Sequence, residues 1–112
     1  MSRGDIETIA PQAAIFAALG DATRLSLLAR LSDGQGRSIA ALSSDTRLTR
    51  QAVTKHLHVL ENAGWVASER IGRESRFVYR PEPVTHAKSY LEAISAQWDE
   101  ALGRLKAMVE RN

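Results

Sequence analysis

A mainly α-helical domain with one small β-hairpin is the fold class this sequence predicts. Three observations lead there: apolar residues recur at three- and four-residue spacing, Ser, Thr or Asp stands just before several of those stretches, and one alternating segment follows Gly64. With 112 residues, 44% of them hydrophobic and 25% charged, the chain has the size of one ordinary domain. It has no cysteine, which excludes a disulfide framework, a thiolate metal site and a cysteine nucleophile. A chain of this length buries roughly 60 to 70% of its unfolded surface, so a partner that covers more would add stability. The N-terminal Met1-Ser-Arg-Gly-Asp-Ile-Glu has no apolar run behind its charge, and no stretch reaches the ~18 apolar residues of a membrane span. A soluble cytoplasmic protein is expected.

Taken in order, the segment after Pro11 is alanine-rich, with Ile15, Phe16 and Leu19 on one side and Gly20 as its stop, which predicts a short helix over residues 12–19. Asp21 caps a second helix over residues 22–31, in which Leu25, Leu28 and Leu31 recur three apart. Ser38 caps a third from Ile39 to about Ser44, with Ile39 and Leu42 as its buried pair. After the connector Asp45-Thr46-Arg47-Leu48, Thr49 caps a longer helix through Ala63, and Gly64 occupies the left-handed position that ends it. Two helices joined by so few residues make a helix-turn-helix candidate. Residues 65–71 and 75–80 then alternate around Gly72-Arg73-Glu74, a hairpin with a basic tip. Pro81 and Pro83 end it, and Thr85 caps a final helix over about residues 85–110, nearly 40 Å long at ~1.5 Å per residue.

The net charge of +2 is unevenly spread. Between Arg47 and Arg80 stand seven basic residues against three acidic, whereas the rest of the chain has eight basic and ten acidic. A local basic field of this kind suits an anionic polymer, though a solvated face has the same charge. On a helical wheel Val53, Leu57, Leu60 and Gly64 fall within about 40° of one another and face the core. Gln51, Thr54, Lys55, His58 and Asn62 lie between about 100° and 200° away and face outward, a set able to meet base edges and phosphates in a major groove. Thr49 and the first-turn N–H groups, with Arg47 and Arg50 nearby, form a phosphate site, and Arg70, Arg73 and Arg76 arm the hairpin for the adjoining groove or backbone. Helix, turn, helix and basic hairpin together make a winged helix-turn-helix of about five helices plus a two-stranded wing.

Phe16-Ala-Ala-Leu-Gly-Asp-Ala-Thr-Arg24, Leu48-Thr-Arg-Gln-Ala-Val-Thr-Lys-His-Leu-His-Val-Leu-Glu-Asn-Ala-Gly64 and the hairpin resemble the ArsR-type (ArsR/SmtB-like) winged-helix regulators of bacteria. The resemblance covers nearly the whole chain and implies a homodimeric repressor on a two-fold symmetric operator of double-stranded DNA. By position it implies DNA contact for Thr49, Arg50, Gln51, Thr54, Lys55 and His56; on the wheel His56 stands on the shoulder. Many members of the family sense metals through a Cys-x-Cys pair in the preceding helix. Here that segment reads Ile39-Ala-Ala-Leu-Ser-Ser-Asp. For the family's second metal site only His86 and Glu100 are present, with Val84 and Gln97 in the other places, too few for tetrahedral zinc. His56 and His58, two apart on a helix, diverge by about 200° and cannot share an ion. No metal or other cofactor is expected, and the sequence names no effector.

Ala87, Leu91, Ile94, Trp98, Ala101 or Leu102, Leu105 and Met108 form a heptad seam on the last helix, a self-complementary surface that the N-terminal helix with Ile15 would join. Trp98 lining a ligand cavity is the alternative. The chain has no glycine-rich phosphate loop, Gly-x-Ser-x-Gly or His-Glu-x-x-His, so catalysis is not expected. The whole chain, residues 1–112, reads as one winged-helix DNA-binding domain with a dimer interface built from its terminal helices. The rivals are a winged-helix protein-interaction module that does not bind DNA, and a regulator gated by a metal or small molecule.

Overall fold

The computed structural model describes residues 3–111, with side chains from Ala10 onward; Met1, Ser2 and Asn112 lie outside the described residues. The elements run α1 (Arg3–Ala18), α2 (Ala22–Leu31), β1 (Arg37–Ser38), α3 (Ile39–Thr46), α4 (Arg50–Asn62), β2 (Val66–Ile71), β3 (Glu74–Tyr79) and α5 (Glu82–Glu110). The three strands form one antiparallel sheet in the order β1-β3-β2.

Three of the four caps expected from the sequence are present. Asp21, Ser38 and Thr49 each accept a hydrogen bond from the backbone N–H three residues on, at 3.0, 3.1 and 3.1 Å, which satisfies a donor the first turn would otherwise leave open. Gly64 has φ +85°, and the N–H groups of Gly64 and Trp65 donate to the carbonyls of Glu61 and Leu60, closing α4 as the chain turns into β2.

Four elements depart from the sequence reading. α1 runs straight through Pro11, beginning nine residues before the expected start; a proline removes one rung of the hydrogen-bond ladder, but helix on both sides holds the path. In α2 the buried residues are Leu27 and Leu31, with Leu28 half-buried, while Leu25 is 48% exposed. An i, i+4 pair stays within 40° on the wheel, and Leu25 sits about 200° from Leu27. β1 was not anticipated, since two residues are too few to alternate; it exists because its partner β3 is already in place, with Arg37 opposite Phe77 and Ser38 opposite Arg76. α5 begins at Glu82 rather than beyond Thr85, with no side-chain cap. Proline fits a first helical turn because its missing N–H would be unpaired there anyway, and the N–H groups of Val84 and Thr85 donate to the Pro81 carbonyl.

The core is the meeting place of α2, α3, α4 and the sheet: Leu27, Leu31, Leu42, Val53, Leu57 and Leu60 are fully buried, joined by Ala18, Trp65, Val66 and Phe77. Ile39, Leu28 and Ile15 pack against it half-buried. The Trp65 indole N–H donates to the Ile15 carbonyl at 3.0 Å, and Phe16 meets Tyr90 with ring centroids 5.8 Å apart, so α1 is tied to both the core and α5. Beyond that contact α5 leaves the body. The molecule extends 70 × 28 × 21 Å with a radius of gyration of 19.2 Å, against about 13 Å for a compact chain of similar length.

Candidate nucleic-acid interface

α4 is oriented by Val53, Leu57 and Leu60, all at 0% exposure, which leaves its opposite side to solvent. Gln51, Lys55, His58 and Asn62 are exposed there, as the wheel predicts, with Arg50 exposed in the first turn. Thr49 and Arg50 stand at the helix N-terminus, where free N–H groups and the helix dipole favour an anion. Thr54 is half-buried and its hydroxyl donates to the Arg50 carbonyl at 2.7 Å, so toward a base it has only its acceptor lone pairs and its methyl group to offer. His56 is half-buried on the shoulder of the helix, beside the N-cap of α2. The Arg24 backbone N–H, aided by the charges of Arg24 and His56 and opposed by desolvation, holds the Asp21 carboxyl below its ordinary range.

The wing separates its three arginines. Arg73 sits exposed in the two-residue turn beside Gly72, whose φ of +63° suits the tight reversal of a hairpin. Register pairs Val66 with Tyr79, Ser68 with Phe77 and Arg70 with Ser75, so Arg70 shares the face of the sheet that carries buried Val66 and Phe77 toward α4. On that face the Ser68 hydroxyl donates to Glu61 of α4 at 3.0 Å. Arg76 pairs with Glu69 on the opposite face and is only half exposed. It donates to Glu74 through Nε and Nη2 at 3.2 and 3.1 Å. Those bonds, with a further one from the Ser38 hydroxyl, keep the Glu74 carboxyl below its ordinary range. Glu74 thus links the wing to the N-cap of α3, and Arg76 is its ion-pair partner. The sequence reading grouped all three arginines by proximity along the chain; only the register, with its period of two, assigns them to faces.

A second surface lies along α5. Leu91, Trp98, Leu102 and Leu105 are 54 to 65% exposed and Ile94 is half-buried, whereas Ile15, expected in the same surface, is packed against the core of its own chain. An apolar recess of about 460 Å³ between Trp65, Val84, Ala87 and Leu91 opens at the start of this stripe. Trp98 is not among its walls. Among the described residues no three His, Cys, Asp or Glu side chains gather as a metal site would require, and no helix is long and apolar enough to cross a membrane.

Residues 19–69, from the end of α1 to the middle of β2, match a helix-turn-helix domain family. The chain is 40% identical over 86 residues to the uncharacterized HTH-type transcriptional regulator YuzN of Bacillus subtilis strain 168, spanning 70% of this chain and 94% of that protein. Its structure is similar to that of an ArsR-like transcriptional regulator from Rhodococcus sp. RHA1, with TM-score 0.82 and 36% identity over 91% of this chain and 95% of the other. It shares its fold, at TM-score 0.67 and 21% identity, with the homodimeric winged helix-turn-helix DNA-binding domain of Mb0332 from Mycobacterium bovis, over 90% and 93% of the two chains. With its turn-linked α3 and α4, its outward polar helix face and its arginine-tipped hairpin, the chain belongs to the ArsR family of winged helix-turn-helix transcriptional regulators.

Proposed function

We propose that this regulator is a homodimeric, sequence-specific repressor that acts in the cytoplasm by occupying a two-fold symmetric operator, through occlusion of a promoter and not through catalysis. The observation that carries the reading is the open polar face of α4 lying beside the arginine-tipped wing. In this reading Gln51, Thr54 and His58 meet base edges, while Thr49, Arg50, Lys55, His56, Arg70 and Arg73 hold phosphates. Arg76 acts from behind, setting the pose of the wing through Glu74.

Residues 1–112 work as one winged-helix unit whose terminal helices pair it with a second copy. The exposed stripe from Leu91 to Met108 supports the pairing, because an amphipathic helix that projects from its own core gains burial only from a partner. Two copies would present their α4 helices about one duplex turn (~34 Å) apart, in successive major grooves.

Selection of bound duplexes from a random pool tests the proposal: recovery of a pseudo-palindromic site is the expected result. No enrichment, together with no binding to random duplex at low salt, would instead leave the basic face for an acidic protein partner.

A further inference from the structure

Next to α4, a recess of about 340 Å³ lies between α2 and the turn that joins α3 to α4. Thr23, Ser26 and Arg30 line it from one side of α2, at helical spacing, and Asp45 and Arg47 line it from the turn. Among the described residues the side chains of Thr23, Ser26, Arg30 and Arg47 have no hydrogen-bond or ion-pair partner. Two arginines and two hydroxyl residues without partners therefore line one concavity in which Asp45 is the one acidic lining residue, a donor set matched to the oxygens of a phosphate.

The backbone adds a second observation. Arg47 has φ +60° and is the sole described residue other than glycine in the left-handed region. Glycine reaches that conformation without strain, whereas an arginine does not. The turn alone thus has no use for the side chain, while a cation at the lip of the recess has one. Arg47 also stands two residues before the Thr49 cap, so a duplex strand held at the start of α4 would continue past the recess.

We propose that the recess formed by Thr23, Ser26, Arg30 and Arg47 seats a backbone phosphate of the duplex, extending the DNA footprint from α4 and the wing onto α2. The inference rests on the DNA-binding reading given above and adds a contact that positions the protein without reading sequence. A phosphate from a soluble ligand would meet the same donors, and the test separates the two sources.

Binding of the full chain and of its Arg47→Gly and Arg30→Gln variants is measured on the selected operator and on a random duplex across a salt series, with melting temperatures recorded alongside. Arg47→Gly should melt at the same or a higher temperature, since glycine relieves the turn, yet bind both duplexes roughly tenfold more weakly. Its plot of log affinity against log salt should be shallower by about one. Arg30→Gln should reproduce the loss, and Asp45→Asn should tighten binding to both duplexes. Unchanged affinity and slope in the arginine variants, beside a wild-type chain that binds, would overturn the recess alone. A wild-type chain that binds neither duplex would overturn the recess together with the DNA-binding reading. Stabilisation of the free chain by inorganic phosphate that disappears in Arg47→Gly while duplex affinity is retained would also overturn it, in favour of a soluble phosphate ligand.

Discussion

Gln51 and Arg73 meet a duplex with different chemistry, and substitution should separate them. A side-chain amide on the open face of α4 offers a donor and an acceptor to one base edge, so Gln51→Ala should cost about 1 to 3 kcal/mol at one position of the site and little elsewhere. An arginine at the hairpin tip meets the backbone, so Arg73→Ala should weaken cognate and random duplex alike and flatten the salt dependence. Equal losses on both duplexes for both variants would refute the division. Away from the interface, Asp33 grips Arg37 through two bonds of 3.0 and 2.8 Å. Arg37 also donates to the Arg30 carbonyl, and so pins the start of β1 against the end of α2. The Arg37 bond, with the Gln35 N–H, lowers the Asp33 carboxyl to about 2. A carboxyl lowered on folding contributes stability that is fully present above its ordinary value near 4 and is lost as pH falls toward 2. Acid titration of wild type and Asp33→Asn should show this: the variant is the less stable at neutral pH, and the gap closes below about pH 4.

At the scale of elements, α4 is held by a cap at one end and a packed stripe along its length. Thr49→Ala removes the acceptor for the Ala52 N–H and should cost about 0.5 to 2 kcal/mol. Leu57→Ala empties a site with no exposure and should cost about 2 to 5 kcal/mol. Urea denaturation reads both, and a Leu57 variant as stable as wild type would contradict the burial of that face. These features were legible in the sequence because each is local: a hydroxyl three residues from its donor, leucines on one side of a 3.6-residue period, a glycine where φ must be positive. β1 was not, because a two-residue strand is made by its neighbour. The split of the wing's arginines was not legible either, because register is a relation between strands.

At the scale of the whole molecule, the projecting α5 places Trp98, Leu102 and Leu105 in water. Trp98→Glu would leave the core of the subunit untouched, since that side chain is 65% exposed. In the proposed dimer it would bury two charges in an apolar seam. The expected outcome is a folded monomer in sedimentation equilibrium with greatly weakened operator binding; a variant that stays dimeric would place the interface elsewhere. Ile15, expected from sequence to share this surface, is half-buried against its own core. An apolar residue on an amphipathic helix has the same pattern whether its partner is in the same chain or in another.

The helices α2, α3 and α4, their caps and the polar side of α4 were determined by the chain's local order alone, since propensity, capping and helical period act over three or four residues. Which leucines of α2 are buried, which wing arginine is paired with Glu74, how β1 joins the sheet and how α2 meets the turn at Arg47 were decided only in the tertiary structure. These depend on contacts between segments far apart in sequence, whose register and packing no local pattern records.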